Sequence, residues 1–254
     1  MSERVVLVTG GTRGIGAAIA RAFLEAGDAV VVCGRRAPEE LPGADGRRAE
    51  FVAADVREPE AAPALVGAVV DRHGRLDLLV NNAGGTAPGP AAEMSAASAE
   101  AVVGLNLLAP FHVSQAANAV MQGQEEGGQI LNVGSVAEAR PAPGTAVYAA
   151  AKAGLLGLTR ALALEWGPRV RVNQVTPGLV ETEGSARHYG GEAGLAAVRA
   201  TIPAGRMARP EDVAAACLLI ANPAAAHVNG AELRVDGGGE VPGWLVAVRA
   251  SADS

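Results

Sequence analysis

The segment Arg4-Val-Val-Leu-Val-Thr9-Gly10-Gly11-Thr12-Arg13-Gly14-Ile15-Gly16 decides the fold of this 254-residue chain. Residues 4–9 form an apolar run that predicts a buried β-strand, and a helical pattern over residues 17–26 follows the glycines. The glycines let the backbone turn sharply and approach a pyrophosphate, and the helix directs free N–H groups and its positive dipole end to the same place. This order of strand, glycine turn and helix therefore predicts a dinucleotide-binding unit rather than a glycine turn without a ligand.

Apolar strands alternate with helical stretches along the rest of the chain, which is typical of a parallel sheet with helices on both faces. Strands are predicted near residues 4–9, 28–33, 50–54, 77–80, 129–134, 170–175 and 231–235. Helices are predicted near residues 14–26, 60–73, 97–120, 146–166 and 211–221, with a short mobile helix inside 185–201. Residues 38–45 are predicted to be a surface turn region and residues 123–128 an exposed loop. We expect one α/β domain over residues 1–254, of the doubly wound Rossmann type, with a seven-stranded parallel sheet.

Composition excludes several classes of partner. The net charge is −6, from 21 basic and 27 acidic residues without a basic stripe, which argues against a nucleic-acid or anionic-membrane partner. The first strand begins directly after Met1-Ser-Glu, and no uninterrupted apolar run reaches the ~18 residues that cross a bilayer, so a cytoplasmic location is expected. Cys33 and Cys217 are too separated for a disulfide framework or a zinc cluster and are expected to be buried; no metal site is predicted.

The stretch Tyr148-Ala-Ala-Ala-Lys152, with Ser135 thirteen residues upstream, predicts the chemistry. A phenol and an ammonium four residues apart lie on the same helix face, and the ammonium is expected to lower the phenol pKa from its usual value of ~10. Ser135 follows an apolar strand and is placed to donate a hydrogen bond to a substrate oxygen. Together these residues predict an acid/base site that interconverts an alcohol and a carbonyl group.

Four further short motifs follow predicted strands in order: Asp55-Val56, Asn81-Asn82-Ala83-Gly84, Pro177-Gly178 and Val235-Asp236-Gly237-Gly238. With the glycine turn and the Ser135, Tyr148 and Lys152 set, their order and spacing resemble those of the short-chain dehydrogenase/reductase family. The resemblance covers almost all of the chain, and 3-oxoacyl-carrier-protein reductase-like members are included in it. One departure is Gly134, where many members carry a second serine; because Ser135 is intact, we expect the chemistry to survive it.

The resemblance also implies residue roles. Tyr148 would be the proton donor in reduction and the acceptor in oxidation, Ser135 would stabilise the substrate oxygen, and Lys152 would hold the nicotinamide ribose. Asn106 would support a water that relays protons through Lys152, or alternatively bridge an irregularity in its helix. Cofactor contacts are implied at Gly10, Thr12, Arg13, Gly14, Ile15, Gly16, Arg35, Arg36, Asp55, Val56, Asn82, Ala83, Gly84, Tyr148, Lys152, Pro177, Gly178, Val180 and Thr182.

The end of the second predicted strand indicates the cofactor. In NAD-binding folds, an acidic residue at this position accepts hydrogen bonds from the adenosine ribose and would repel a 2′-phosphate. Here Gly34 takes the place of the acid and Arg35-Arg36 follow it, while Arg13 approaches from the glycine turn. Because a guanidinium offers a planar fork of donors to a phosphate, the sequence predicts NADP(H) in preference to NAD(H).

The substrate is less well specified. Residues 181–203 are predicted to form a lid with few bulky anchors, and Arg140 is either a contact for an anionic substrate group or a solvated loop arginine. The tail from residue 239 to 254 is apolar for a chain end, and with family precedent it indicates a homotetramer.

Three functions remain open. The first is an NADP(H)-dependent oxidoreductase acting on a small-molecule carbonyl or alcohol, and the second, narrower one is a 3-oxoacyl-carrier-protein reductase of fatty-acid synthesis. The latter would need a basic docking patch beside the pocket, which the sequence does not obviously show. A dinucleotide-sensing or scaffold protein without turnover is the third, and the intact catalytic set argues against it.

Overall fold

The structure is a computed structural model that describes residues 3–86, 88–245 and 248. Its strands are β1 (Val5–Thr9), β2 (Ala29–Gly34), β3 (Gly43–Ala44), β4 (Arg47–Arg48), β5 (Glu50–Ala53), β6 (Leu78–Asn81), β7 (Gly128–Val133), β8 (Val170–Pro177) and β9 (Glu232–Val235). Seven of them form a parallel sheet in the order β5-β2-β1-β6-β7-β8-β9. The predicted seven-stranded parallel sheet is therefore confirmed.

The helices are α1 (Gly14–Glu25), α2 (Ala61–His73), α3 (Ala96–Val103), α4 (Ala109–Met121), α5 (Ala146–Trp166), α6 (Ser185–His188), α7 (Gly191–Thr201) and α8 (Pro210–Ala221). Two predictions need correction. The helix expected over residues 97–120 is divided by a π-helical turn at Gly104–Leu108, and the single helix expected inside 185–201 is two helices. The surface turn expected over 38–45 ends in a small antiparallel hairpin, because β3 pairs with β4.

Both faces of the sheet are covered by helices, and β1 shows how the sequence achieves this. Its side chains alternate, so Val6 and Val8 pack with α1 and α8 on one face, and Val5 and Leu7 pack with α2, α4 and α5 on the other. Cys217 is buried in the first core and Cys33 in the second, as predicted, and burial raises their pKa values to about 12 and about 11.

Two helical stretches, Ala96–Met121 and Ala146–Trp166, are long and apolar enough to pass a length-and-composition test for membrane spans. Each stretch packs one side into the core beneath the sheet, and this burial explains the apolar residues on that side. Apolar residues also lie on their outer sides: Leu108 is 45% exposed and Leu164 is 86% exposed.

Candidate active site

A cleft of about 1680 Å³ opens at the carboxyl ends of the strands, where the strand order reverses between β1 and β6. This is the place where open α/β sheets bind ligands. Every predicted cofactor contact lines it, and so do Ser135, Tyr148 and Lys152. Of the predicted site residues only Asn106 is not part of the cleft lining; its side chain is fully buried.

The glycine turn after β1 is held in shape by the strand next to it. The Asn82 amide donates hydrogen bonds to the carbonyl oxygens of Thr9 (3.0 Å) and Gly10 (3.1 Å), and Thr9 Oγ1 accepts one from the Asn82 backbone N–H (3.0 Å). Gly10 has a φ of +61°, and a Cβ on Gly16 would lie 2.3 Å from the Gly10 oxygen, so neither position accepts a larger residue without strain.

This turn fits the pyrophosphate of a dinucleotide. The first turn of α1 contains no acidic residue, so the positive end of the helix dipole faces the cleft uncompensated by a carboxylate of that turn. Asn82 lines the cleft and also holds the backbone of the glycine turn through its hydrogen bonds to Thr9 and Gly10.

Guanidinium groups line the cleft next to the end of β2. Arg13, Arg35 and Arg36 are exposed there, as the sequence predicts. Asp55 is engaged by a residue that sequence reasoning missed: Arg57 donates to its carboxylate from Nε (2.9 Å) and Nη2 (2.5 Å). That contact, with a smaller contribution from the Arg35 charge, lowers the pKa of Asp55.

Arg21 and Arg57 also line the cleft and add positive charge to it. The ion pair of Asp55 and Arg57 could have been predicted, because the two residues are only two positions apart. Arg21 could not, because nothing in the sequence shows that this position of α1 faces the cleft.

Ser135 and Tyr148 lie together at the inner end of the cleft. Ser135 follows β7 and begins a short 3₁₀ turn, Val136–Glu138, by accepting a hydrogen bond from the Ala137 N–H (3.2 Å). Its hydroxyl also lies close to the phenol of Tyr148, which α5 presents from the facing side, and lowers the phenol pKa. The structure therefore brings Ser135 and Tyr148 together in one cleft.

The expected direction of the Tyr148 pKa is wrong for this structure. Burial is the largest effect and raises the pKa of the phenol above its usual value; the nearby Ser135 hydroxyl lowers it, and the negative charge of Glu138 raises it further. Lys152 lies near the phenol, with Nζ 5.9 Å from the ring centroid, but it donates to the Val133 carbonyl (2.7 Å). Burial lowers the pKa of Lys152 itself to about 8. Lys152 is therefore less able to stabilise a negative charge on the phenol than an exposed lysine would be.

Asn106 lies in the π-helical turn between α3 and α4. Its amide nitrogen donates to the carbonyls of Val102 and Gly85 (both 2.9 Å), and its oxygen accepts from the Gly85 N–H (3.0 Å). The side chain thus bridges the helix irregularity, the second of the two interpretations, and anchors the turn that follows β6. A role in a proton relay stays a prediction.

Arg140 and the lid predicted over residues 181–203 are the segments that the sequence places near the substrate. Arg140 is exposed and pairs with Asp236 (2.9 Å) and Glu240 (3.3 Å), ion pairs that neither alternative anticipated. In the predicted lid, Leu195 and Ile202 are buried in a small apolar cluster with Met207, so the lid has bulky anchors after all.

The beginning of the predicted tail is attached to the lid, since the Val241 N–H donates to the Thr201 carbonyl (2.7 Å). Trp244 is 70% exposed. Residues 246, 247 and 249–254 of the tail lie outside the described residues.

The fold and the cleft match a known class of protein. A family model described as enoyl-(acyl carrier protein) reductase matches residues 10–240. The chain belongs to the short-chain dehydrogenase/reductase family, whose members are oxidoreductases that use nicotinamide dinucleotides. The predicted family is thereby confirmed.

Individual relatives differ in the substrates that their names give. The D-threitol dehydrogenase of Mycolicibacterium smegmatis is 38% identical over 245 residues, which cover 94% of this chain and 93% of that protein. The 3-oxoacyl-[acyl-carrier-protein] reductase of Vibrio cholerae is 37% identical over 244 residues, covering 94% and 98%. The ligand-free structure of Thermoplasma acidophilum aldohexose dehydrogenase superimposes with a TM-score of 0.86 at 28% identity and covers 93% of both chains.

Proposed function

We propose that this protein is an NADP(H)-dependent oxidoreductase that interconverts an alcohol and a ketone on a small molecule, with Tyr148 as the acid/base. The observation that carries the proposal is the placement of Ser135 close to Tyr148, with Lys152 beside the phenol, in the same cleft as the glycine turn. A proton donor, a hydrogen-bond donor and a dinucleotide cradle in one cleft are what carbonyl reduction requires.

Each residue of the pair has a separate task. A bound nicotinamide dinucleotide supplies the hydride in reduction and accepts it in oxidation. Ser135 donates a hydrogen bond to the substrate oxygen, where negative charge develops, and Tyr148 donates the proton that neutralises it. Lys152, on the next turn of α5, holds the nicotinamide ribose, and Gly10, Gly14 and Gly16 admit the pyrophosphate.

The raised pKa of Tyr148 favours one direction near neutral pH. A protonated phenol is ready to donate, so carbonyl reduction needs no prior ionisation. Alcohol oxidation needs the phenolate, and its rate is therefore expected to increase as the pH rises toward the Tyr148 pKa.

A substrate panel tests the proposal. Sugars and polyols, steroids, simple ketones and 3-oxoacyl thioesters are incubated with NADPH or NADH, and oxidation of the cofactor is followed at 340 nm. We expect turnover of at least one carbonyl class, faster with NADPH. Turnover confined to acyl thioesters would favour the 3-oxoacyl-carrier-protein reductase, to which the Vibrio cholerae relative points. Cofactor binding without turnover across the panel would favour the sensing or scaffold protein.

We further propose a homotetramer in which α5 and the helix that carries Asn106 pair across a two-fold axis. The outer sides of these helices expose Leu108 and Leu164, and burial in a symmetric contact would remove these apolar groups from water. Light scattering is expected to give a mass of about four chains, and Leu164→Lys is expected to lower it. A monomer at working concentrations would contradict the prediction.

A further inference from the structure

We propose that Glu138 is a positioning residue of this site: held by Gln174 and Thr176, its carboxyl group fixes the turn that carries Ser135, and its charge acts on the Tyr148 phenol. The inference depends on the proposed role of Tyr148 as the acid/base. Nothing near Glu138 in the sequence indicates this role, because both residues that hold it lie on β8, 36 and 38 positions away.

The Glu138 carboxyl is bound from the strand beneath it. Gln174 Nε2 donates to both of its oxygens (2.9 and 3.2 Å), and Thr176 Oγ1 donates to one of them (3.2 Å). Both donors lie on β8, two residues apart, and both residues are fully buried. Because Glu138 ends the 3₁₀ turn that Ser135 begins, these bonds fix the turn at its far end while the Ser135 hydroxyl fixes it at the near end.

This arrangement explains why residue 134 is a glycine and not a serine. A Cβ on Gly134 would lie 2.4 Å from Gln174 Nε2 and 2.7 Å from its Cδ, so the Gln174 side chain occupies the space that a serine would need. The departure from the family pattern at Gly134 is therefore linked to Gln174 and, through it, to Glu138.

The charged and titratable groups that face Glu138 come from two elements. Glu232 on β9 acts on it through its negative charge and is itself paired with Arg234 (2.6 Å), and α5 contributes Tyr148 and Lys152. Burial, followed by the Glu232 charge, raises the pKa of Glu138 even though the Gln174 hydrogen bond lowers it. The carboxyl is nevertheless ionised at the alkaline pH where a phenol titrates.

The ionised carboxylate opposes loss of the Tyr148 proton. The negative Glu138 disfavours a second negative charge on the phenol and so raises the pKa of Tyr148. It also favours the Lys152 ammonium, whose pKa burial nevertheless lowers overall. Removal of the Glu138 charge is therefore expected to lower the pKa of Tyr148.

A tyrosine titration tests this without turnover. The chain has two tyrosines, so in a Tyr189→Phe background the tyrosinate absorbance near 295 nm reports Tyr148 alone. E138Q keeps the size of the side chain and an oxygen for Gln174 and Thr176, but removes the charge. We expect a lower titration midpoint in E138Q and no change in Glu25→Gln, a matched change at an exposed position on α1.

An unchanged midpoint in folded E138Q would overturn the inference. If E138Q does not fold, E138A removes the same charge and is read in the same way. Because the titration needs neither cofactor nor substrate, its result separates this inference from the proposed function, which fails if Tyr148 proves unnecessary for turnover.

The positioning part has its own test in an enzyme assay. For E138Q, kcat for alcohol oxidation is measured across pH, and we expect its profile to move to lower pH. For the contact between residues 134 and 174, Gly134→Ser and Gln174→Ala are made singly and together and assayed in the same way. In the cycle, the double variant is expected to lose much less than the product of the two single losses, because both changes disturb one contact. Fully multiplicative losses would contradict the link between Gly134 and Glu138.

Discussion

Tyr148→Phe is expected to reduce turnover by about two orders of magnitude or more, because it removes the proposed proton donor and leaves the rest of the site in place. The tyrosine is partly buried close to Ser135, and phenylalanine fills nearly the same volume without the hydroxyl. Cofactor binding and the melting temperature should change little. Turnover at saturating substrate and a dissociation constant for NADPH, measured on the same preparation, separate the chemical step from binding.

Tyr189→Phe is the matched comparison, since it removes the hydroxyl of the other tyrosine, which packs against the lid cluster. Its turnover is expected to fall far less. Near-normal turnover in Tyr148→Phe would show that another group moves the proton, and the mechanism proposed for this site would then be wrong.

The sheet and most of the helices were predictable because their signals are local. The apolar run before Gly10 and the helical pattern after Gly16 define β1 and α1 without any knowledge of the rest of the chain. The spacing of Tyr148 and Lys152 likewise fixes their common helix face. Such patterns record the environment of consecutive residues, and the fold satisfies them directly.

Features that depend on partners distant in sequence were not predictable. The π-helical turn at Asn106 is bridged by hydrogen bonds to Gly85, twenty-one residues away. Arg140 pairs with Asp236, ninety-six residues away, and nothing near either residue indicates the pair.

The predicted direction of the Tyr148 pKa shift was wrong for the same reason. The sequence shows Lys152 four residues away, but it shows neither the depth of burial nor the carboxyl of Glu138. In the folded protein these two effects together, with burial the larger, outweigh the opposite effect of the nearby Ser135 hydroxyl.

Cofactor preference is the other large expected effect. Arg35 lies at the end of β2, exposed in the cleft that the glycine turn opens, with Arg13 and Arg36 lining the same cleft. Arg35→Asp replaces a guanidinium group by a carboxylate, so the proposed attraction to a 2′-phosphate becomes repulsion. We expect the Kd for NADPH to increase by about thirty-fold or more, which corresponds to about 2 kcal/mol.

The same substitution offers the ribose hydroxyls of NADH a carboxylate, so NADH binding is expected to be retained or improved. Gly34→Asp places the acid at the position typical of NAD-binding folds, and a Cβ there meets Thr12 at 3.5 Å, an ordinary contact. It should move the preference in the same direction as Arg35→Asp. Arg48→Asp, on β4 and not among the residues that line the cleft, changes the net charge equally and is expected to leave both affinities unchanged.

Fluorescence titration of each variant with both reduced cofactors decides the question. The salt dependence adds a second reading, since a charge-assisted phosphate contact should make NADPH binding to the unmodified protein weaken with ionic strength more steeply than NADH binding. Equal affinities in the unmodified protein, or tighter binding of NADH, would show that Arg35 does not read the 2′-phosphate. A loss of NADPH affinity in Arg48→Asp as large as in Arg35→Asp would assign the preference to overall charge instead of to this strand end.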